Sequence, residues 1–405
     1  MKQAVAGNAG PKVRSDIEVT LELTDSGGTE LILKSKVKTM YGNAIEKQCR
    51  DLLKHFGIRN ARLLVNDTGA LPFVIAARVE AAVKALTGTS VSFLPEMIDE
   101  NKYASSRDRF RFSRLYLPGN NPGMFLNAGL HSPDGVILDL EDSVAPDKKD
   151  EARILVRNAL RSVNFYGAER MIRINQGERG LADLDCLIPH NVHLVLIPKC
   201  ENAETVKKVD EKISEIKKRE VQPGTVFLMP IIESAAGVER AYEIATATPD
   251  VVALAIGLED YTSDLGVQRT REGNESQYAR SRIVVAAKAA GIQPIDSVFS
   301  DVGDMEGLLN NVRSSKAMGF EGMGCIHPRQ IAVIREGFSP SAEEIEKARK
   351  IVLAYRDALA RGLGVVALGS KMIDPPVVAR AEKTINLAVK LGLLSDKWSE
   401  EEVTE

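Results

Sequence analysis

The sequence predicts an α/β protein: a TIM (β/α)8 barrel with a C-terminal helical extension, preceded by a small α+β domain. Three observations predict it. Eight strand-like apolar runs alternate with amphipathic, helix-like stretches between residues 114 and 336, an alternation that signals a parallel sheet. Eight is also the closure number of the barrel, and the span approaches its usual length of roughly 250 residues, which favours closure over an open doubly wound sheet. Before residue 90 the pattern is different, with short alternating strands and two helix-like runs, and beyond residue 340 it becomes helical.

The first unit is placed at 1–88. "IEVTLELT" (17–24) and "LILKSKVK" (31–38) alternate around the turn "TDSGGTE", as half-buried strands do. The helix-like "NAIEKQCRDLLKHFG" stops at Gly57, "ARLLVND" (61–67) is a further strand, and "PFVIAARVEAAVKAL" is a helix opened by Pro72. Residues 89–109 lack sustained periodicity and read as a linker. The barrel is placed at 110–340, with strands "RLYLPG", "GVILDLE", "RMIRIN", "HLVLIPK", "VFLMPIIE", "VVALAIG", "IQPIDSVF" and "EGMGCI". Helices are expected near 147–162, 202–218, 235–246, 278–290 and 304–318, and a helical extension fills 341–405.

Composition narrows the chemistry. A net charge of −3 and a pI near 6.1 provide no electrostatic reason to expect nucleic acid or an anionic membrane as partner. No apolar run approaches the roughly 18–20 residues of a membrane span, so a cytoplasmic protein is expected. Four dispersed cysteines and five scattered histidines fit neither a disulfide framework nor a zinc motif. A metal site, if present, would be built on oxygen.

The ends of barrel strands face the active-site mouth, and here they are rich in charge. The second strand ends in Asp139, Glu141 and Asp142, the third carries Arg173, the fourth ends at Lys199, the fifth at Glu233, and the sixth runs into Glu259 and Asp260. A bare carboxylate such as Glu233 at the end of an apolar run is costly unless paired or bound to a cation; the bland alternative is a helix-cap role. Oxygen ligands without histidine or cysteine suit Mg²⁺. "LPGNNPGM" (117–124), with Pro118, Gly119 and Asn120, follows the first strand; it would let backbone N–H groups approach a phosphate or simply make a tight turn. Arg114, entering that strand, would neutralise a phosphate or form a salt bridge at the rim.

Taken together, "RLYLPGNNPGM", "DGVILDLEDSV", "RMIRIN", "LIPKCENAE", "MPIIESAAGV", "IGLEDYTSDLG", "GFEGMGCIHPRQI" and "GLGVVALGSKMID" resemble the citrate lyase beta-chain family, which includes malyl-CoA and citramalyl-CoA lyases. The resemblance spans about 110–390, in order. It implies Mg²⁺ ligation by Glu233 and Asp260, a keto-acid carboxylate clamp at Arg173, and Glu141 and Asp142 in the shell around metal and substrate. It also implies that Asp374, in "KMIDPP", is the acid/base group, delivered by the tail into a neighbouring subunit of a homo-oligomer such as a trimer. An aspartate before proline is also common turn chemistry.

Over roughly 4–86, "AVAGNAGPKVRSDIEV", "KSKVKTMYGNAIEK" and "NDTGALPFVIAARVEAAV" resemble the citrate lyase acyl carrier protein, the gamma chain. That resemblance implies a covalent phosphoribosyl-dephospho-CoA group on a serine. The family pattern sets this serine two residues before an aspartate, where Arg14 stands here, so Ser15 is the only nearby hydroxyl. The combined expectation is a carbon–carbon (oxo-acid) lyase cleaving citryl-ACP or citryl-CoA to oxaloacetate and an acetyl thioester, with a separate citrate lyase alpha chain as transferase. The rivals are a lyase for free malyl-CoA or citramalyl-CoA, and a non-catalytic carrier or assembly subunit.

Overall fold

The computed structural model describes residues 2–220, 224–368 and 371–399. It opens with β1 (Gln3–Ala6), β2 (Ile17–Leu23), β3 (Thr29–Ser35) and β4 (Ala61–Asp67), ordered β1-β2-β4-β3 in one sheet. The alternation read from the sequence sets the sheet's inner face: Ile17, Val19 and Leu21 are fully buried, as are Leu63 and Val65 on the neighbouring strand. Two helices, α1 (Lys38–His55) and α2 (Pro72–Thr87), accompany this sheet. The short β1 is a strand that the sequence pattern does not announce.

Eight parallel strands follow: β5 (Ser113–Pro118), β6 (Gly135–Asp139), β7 (Glu169–Arg173), β8 (Leu194–Ile197), β9 (Phe227–Ile232), β10 (Ala253–Ile256), β11 (Gln293–Ile295) and β12 (Met323–Cys325). Their order is β11-β10-β9-β8-β7-β6-β5-β12, and a parallel bridge between Asp296 and Met323 joins the two ends, so the sheet closes as a TIM-type barrel. Ile137, Met171, Leu196, Met229 and Ala255 fill its interior. The intervening helices are α3 (Pro122–Phe125), α4 (Lys149–Ser162), α5 (Gly177–Leu187), α6 (Ala203–Glu220), α7 (Ala235–Glu239), α8 (Ala241–Ala245), α9 (Leu258–Asp264), α10 (Gln277–Ala289), α11 (Met305–Met318) and α12 (Arg329–Phe338). Periodicity does not announce α5, because glycines at 177 and 180 weaken its opening turn.

The tail consists of α13 (Ala342–Ala360), a hairpin of β13 (Val366–Leu368) and β14 (Lys371–Ile373), and α14 (Pro375–Lys390). α13 begins with a capping box in which Ser341 and Glu344 satisfy each other's backbone N–H groups. Among the described residues, no helix is long and apolar enough to cross a membrane.

Two features place the first unit and the segment after it firmly on the barrel. Every residue of α2 from Phe73 to Val83 is buried, because α2 is sandwiched between its own sheet and α4. Its two charged residues in that stretch are paired across the boundary. Arg78 grips Asp16 with two bonds of 3.0 Å, reaches Glu151 at 3.2 Å and donates to the Asn120 carbonyl at 2.9 Å. Glu80 accepts two bonds from Arg157, at 2.9 and 2.7 Å. The segment read as a linker is a strap over the barrel's N-terminal end. Asn101 is buried and donates to the Leu160 and Val163 carbonyls, while Arg107 donates to those of Pro249 and Val251. Irregular backbone carries no periodicity, so its fixation by side chains is invisible in the sequence.

Candidate active site

At the C-terminal ends of the strands lies a cavity of about 330 Å³, lined among others by Arg114, Tyr116, Pro118, Arg173, Glu233 and Asp260. Glu233 immediately follows β9 and is only 6 % exposed. Its Oε2 accepts the Lys199 backbone N–H at 2.7 Å, in a turn where Lys199 takes a left-handed conformation, φ 46°, that is uncommon for a non-glycine residue. Gly257 permits the carboxylate to sit where it does, since a Cβ there would lie 2.5 Å from Glu233 Oε1. Ser234 caps α7 through the Gly237 N–H at 3.2 Å, which accounts for the "ESAAG" that follows the strand. Burial, reinforced by the Asp260 carboxylate and only partly offset by the Lys199 N–H, pushes the Glu233 carboxyl up to about 7.

Arg173, ending β7, donates from Nε and Nη2 to Asp139 at 2.6 and 2.7 Å. Its Nη1 lies 3.1 Å from Glu141, and its guanidinium stands 5.4 Å from the Tyr116 ring centre. Burial opposes charge on Asp139, yet the two bonds from Arg173 hold its carboxyl below the usual range. The Lys199 ammonium lies 3.6 Å from Glu141, 3.6 Å from Asp142 and 3.4 Å from Asp260. Burial works against this ammonium, but the three carboxylates together raise its pKa. Glu141 is raised by burial and by its neighbour Asp142.

The strand-end residues expected from the sequence therefore meet: Glu233, Asp260, Glu141, Asp142 and Arg173 surround one mouth. Several expectations need correction. Arg114 is not at the rim; because β5 begins one residue before it, it lies inside the barrel, 1 % exposed. The fork of Arg173 is occupied by Asp139, so only Nη1 is turned toward the other carboxylates. Pro118 lines the cavity, but Gly119 serves close packing, with a hypothetical Cβ only 2.6 Å from the Asp139 carbonyl. Asn120 faces the first domain, where its carbonyl meets Arg78. Asp374, expected at a neighbouring subunit's mouth rather than its own, is not among the residues lining this cavity; it is the N-cap of α14 and accepts the Val377 N–H at 3.2 Å. Ser15 lies on a loop at φ 58°, half-buried, beside the buried Asp16. Lys199, Asp139 and Tyr116 join the site without a role assigned from sequence; a strand-end position was the available signal for the first two.

Five carboxylates (Asp139, Glu141, Asp142, Glu233, Asp260) thus face two cations, Arg173 and Lys199. Among the described residues, no three His, Cys, Asp or Glu side chains form a protein-only metal cluster. A cation that takes one or two carboxylates and completes its shell with water and substrate oxygens, as Mg²⁺ does, fits this surplus of negative charge.

Comparison with known proteins agrees with this geometry. Residues 113–328 match the HpcH/HpaI aldolase/citrate lyase family model, and residues 1–86 match the ACP model described as malonate decarboxylase delta subunit (MdcD). The chain is 39 % identical over 285 residues to citrate lyase subunit beta of Haemophilus influenzae, covering 69 % of this chain and 97 % of that protein. It is 33 % identical over 326 residues to the mitochondrial citramalyl-CoA lyase of Homo sapiens, covering 77 % of this chain and 96 % of that protein. Among solved structures, protein CitE of Mycobacterium tuberculosis in complex with magnesium, acetoacetate and coenzyme A aligns with TM-score 0.59 and 31 % identity, over 70 % of this chain and 99 % of that one. Its barrel, its strand-end acids and these relatives place the chain in the HpcH/HpaI aldolase/citrate lyase family, as a carbon–carbon lyase joined to an N-terminal acyl-carrier-type domain.

Proposed function

We propose that the chain cleaves a citryl thioester to oxaloacetate and an acetyl thioester, with Glu233 and Asp260 holding Mg²⁺ and the thioester presented on its own first domain through Ser15 or as free citryl-CoA. The observation that carries this reading is the buried Glu233, raised to about 7 and facing Asp260 across a cavity that also holds arginines. In the reaction the substrate hydroxyl loses its proton, the carbon–carbon bond breaks as the ketone forms, and the electron pair left on the thioester enolate takes up a proton. Bound Mg²⁺ would supply the charge that acidifies the hydroxyl and favours the ketone oxygen. Arg173, preorganised by Asp139, orients the keto-acid carboxylate through Nη1, and Lys199 keeps Glu141, Asp142 and Asp260 together. The apolar walls, Ile231, Ala255 and Ile256, keep water from the enolate. Asp374 is proposed as the proton donor, reaching the mouth of a second copy in a homo-oligomer; its absence from its own chain's cavity supports this. A separate transferase chain would load the carrier. The magnesium and coenzyme A in the CitE complex support the metal and thioester parts of the reading.

The deciding experiment is release of oxaloacetate from citryl-CoA by the purified chain with and without Mg²⁺. No release under either condition would overturn the reading. A second reading, cleavage of free malyl-CoA or citramalyl-CoA, is favoured by Arg14 standing where the carrier pattern has its serine and by the likeness to a citramalyl-CoA lyase. Mass spectrometry of protein from its native cell distinguishes them, since a covalent phosphoribosyl-dephospho-CoA adduct supports the carrier.

A further inference from the structure

Most other arginines buried around the barrel and its domain boundary meet carboxylates: Arg111 with Glu169, Arg157 with Glu80, Arg78 with Asp16 and Glu151, Arg173 with Asp139; Arg170 instead donates to the Asn191 carbonyl and lies against His193 and the Tyr103 ring. Among the described residues Arg114 has no carboxylate partner. It is 1 % exposed and its Nη1 donates to the Met229 sulfur at 2.9 Å, a weak acceptor, while its Nε has no hydrogen-bond partner among the described residues. Its surroundings in the cavity include Tyr116, Ile231, Ala255 and Gly324; of the carboxylates lining the same cavity, Asp139 is taken by Arg173, Asp296 by Arg280, and Glu233 accepts the Lys199 N–H, and none forms an ion pair with Arg114. An unpaired buried cation is costly in such a place, and the face left open to it is the substrate cavity.

We propose that Arg114 forms the floor of the active site and binds the second, non-reacting carboxylate of a dicarboxylic keto-acid unit. This rests on the lyase reading above and sharpens it. A citryl or oxaloacetate moiety carries that carboxylate on a carboxymethyl group; a citramalyl or pyruvate moiety has a methyl group in place of the carboxymethyl. The guanidinium would meet the carboxylate with two parallel charge-assisted hydrogen bonds, and the methyl analogue would leave the cation unpaired. Arg114 is thus the residue that selects between the two classes of substrate.

The test uses the full chain with Mg²⁺. Oxaloacetate and pyruvate affinities are measured by calorimetry, and kcat/KM is measured for citryl-CoA and citramalyl-CoA, in wild type, Arg114→Met and Arg114→Lys. Wild type is expected to prefer the dicarboxylic member of each pair. In Arg114→Met both preferences should fall by about 10- to 100-fold, the scale of a hydrogen bond to a charged group, and the melting temperature should rise because a buried unpaired charge is gone. Arg114→Lys should retain part of the preference. A folded Arg114→Met with both ratios unchanged, or a wild type that binds pyruvate as tightly as oxaloacetate, overturns the proposal. Should Arg114→Met fail to fold, an unchanged ratio in Arg114→Lys and Arg114→Gln overturns it equally. If wild type cleaves neither thioester, the lyase reading fails, whereas an oxaloacetate preference that collapses in Arg114→Met still supports the floor.

Discussion

At the N-terminal end of the barrel, Arg111 donates to both oxygens of Glu169 at 2.7 and 2.8 Å, and both side chains are fully buried. Beside them His193 accepts the Arg170 backbone N–H on Nδ1 at 3.1 Å and faces the Tyr103 carbonyl through Nε2 at 2.9 Å. At the C-terminal end, Glu233 is buried beside Asp260 and Lys199 is shared among three carboxylates, while below them, inside the barrel near the start of β5, Arg114 forms no ion pair among the described residues. One end satisfies most of its charges internally, with Arg170 held by backbone carbonyls and His193 rather than by a carboxylate, and one leaves more of them incomplete. The complete end is a stability device, tied down by the 89–109 strap. On the proposed reading, the incomplete end holds a deficit that a bound ligand would remove, which is how a binding site differs from a core.

The strongest test of the incomplete end is removal of its carboxylates. Glu233→Ala or Asp260→Ala should lower Mg²⁺-dependent kcat/KM for citryl-CoA by about 10³-fold with an unchanged or higher melting temperature. Full turnover in either variant, or in chelator-treated enzyme, would remove the metal assignment.

Asp374→Asn is expected to lose turnover by about 10²-fold, the scale of general acid catalysis, while still binding oxaloacetate. Mixing it with Glu233→Ala under subunit exchange should recover part of the activity. Verified mixed oligomers without recovery would confine Asp374 to its own chain, and normal turnover in Asp374→Asn would leave it only the helix-cap role seen at Val377.

At the complete end the sign reverses. Glu169→Ala strands Arg111 without its partner and should cost about 3–5 kcal/mol in urea unfolding, with kcat of the remaining folded enzyme preserved. A small stability loss would show that the strap, rather than the pair, holds this end.

The same end predicts a pH dependence. Burial, with nearby arginines, pushes His190 and His193 down to about 3 from 6.5. Between those values the unfolded chain binds more protons than the folded one, so stability falls as pH drops below about 6.5 and the loss levels off near 3. Comparing unfolding at pH 7.5 and pH 5 tests this, and His193→Asn should flatten the profile.

The smallest effect on the barrel is expected from the first domain's loop. Ser15→Ala should abolish the covalent adduct in protein from its native cell while leaving cleavage of free citryl-CoA intact. An adduct still present in the variant would place the attachment elsewhere.

Much of the plan was legible in the chain. Eight apolar runs, the acids that end them, the helix opened at Pro72 and the stop at Gly57 all follow from local patterning, because periodicity reports which residues face a core and the β/α alternation orients every strand end toward one mouth. That is why Glu233, Asp260, Glu141, Asp142 and Arg173 could be gathered before any coordinates. Partnerships depended on closure instead. Lys199 among three carboxylates, Arg173 committed to Asp139, Arg78 bridging two domains, and Arg114 without an anion each involve residues far apart in sequence, brought together by the barrel's register. A side chain's charge is written in its own residue, but whether that charge is neutralised is decided by neighbours only the tertiary structure brings within about 4 Å, where Coulomb interactions become strong.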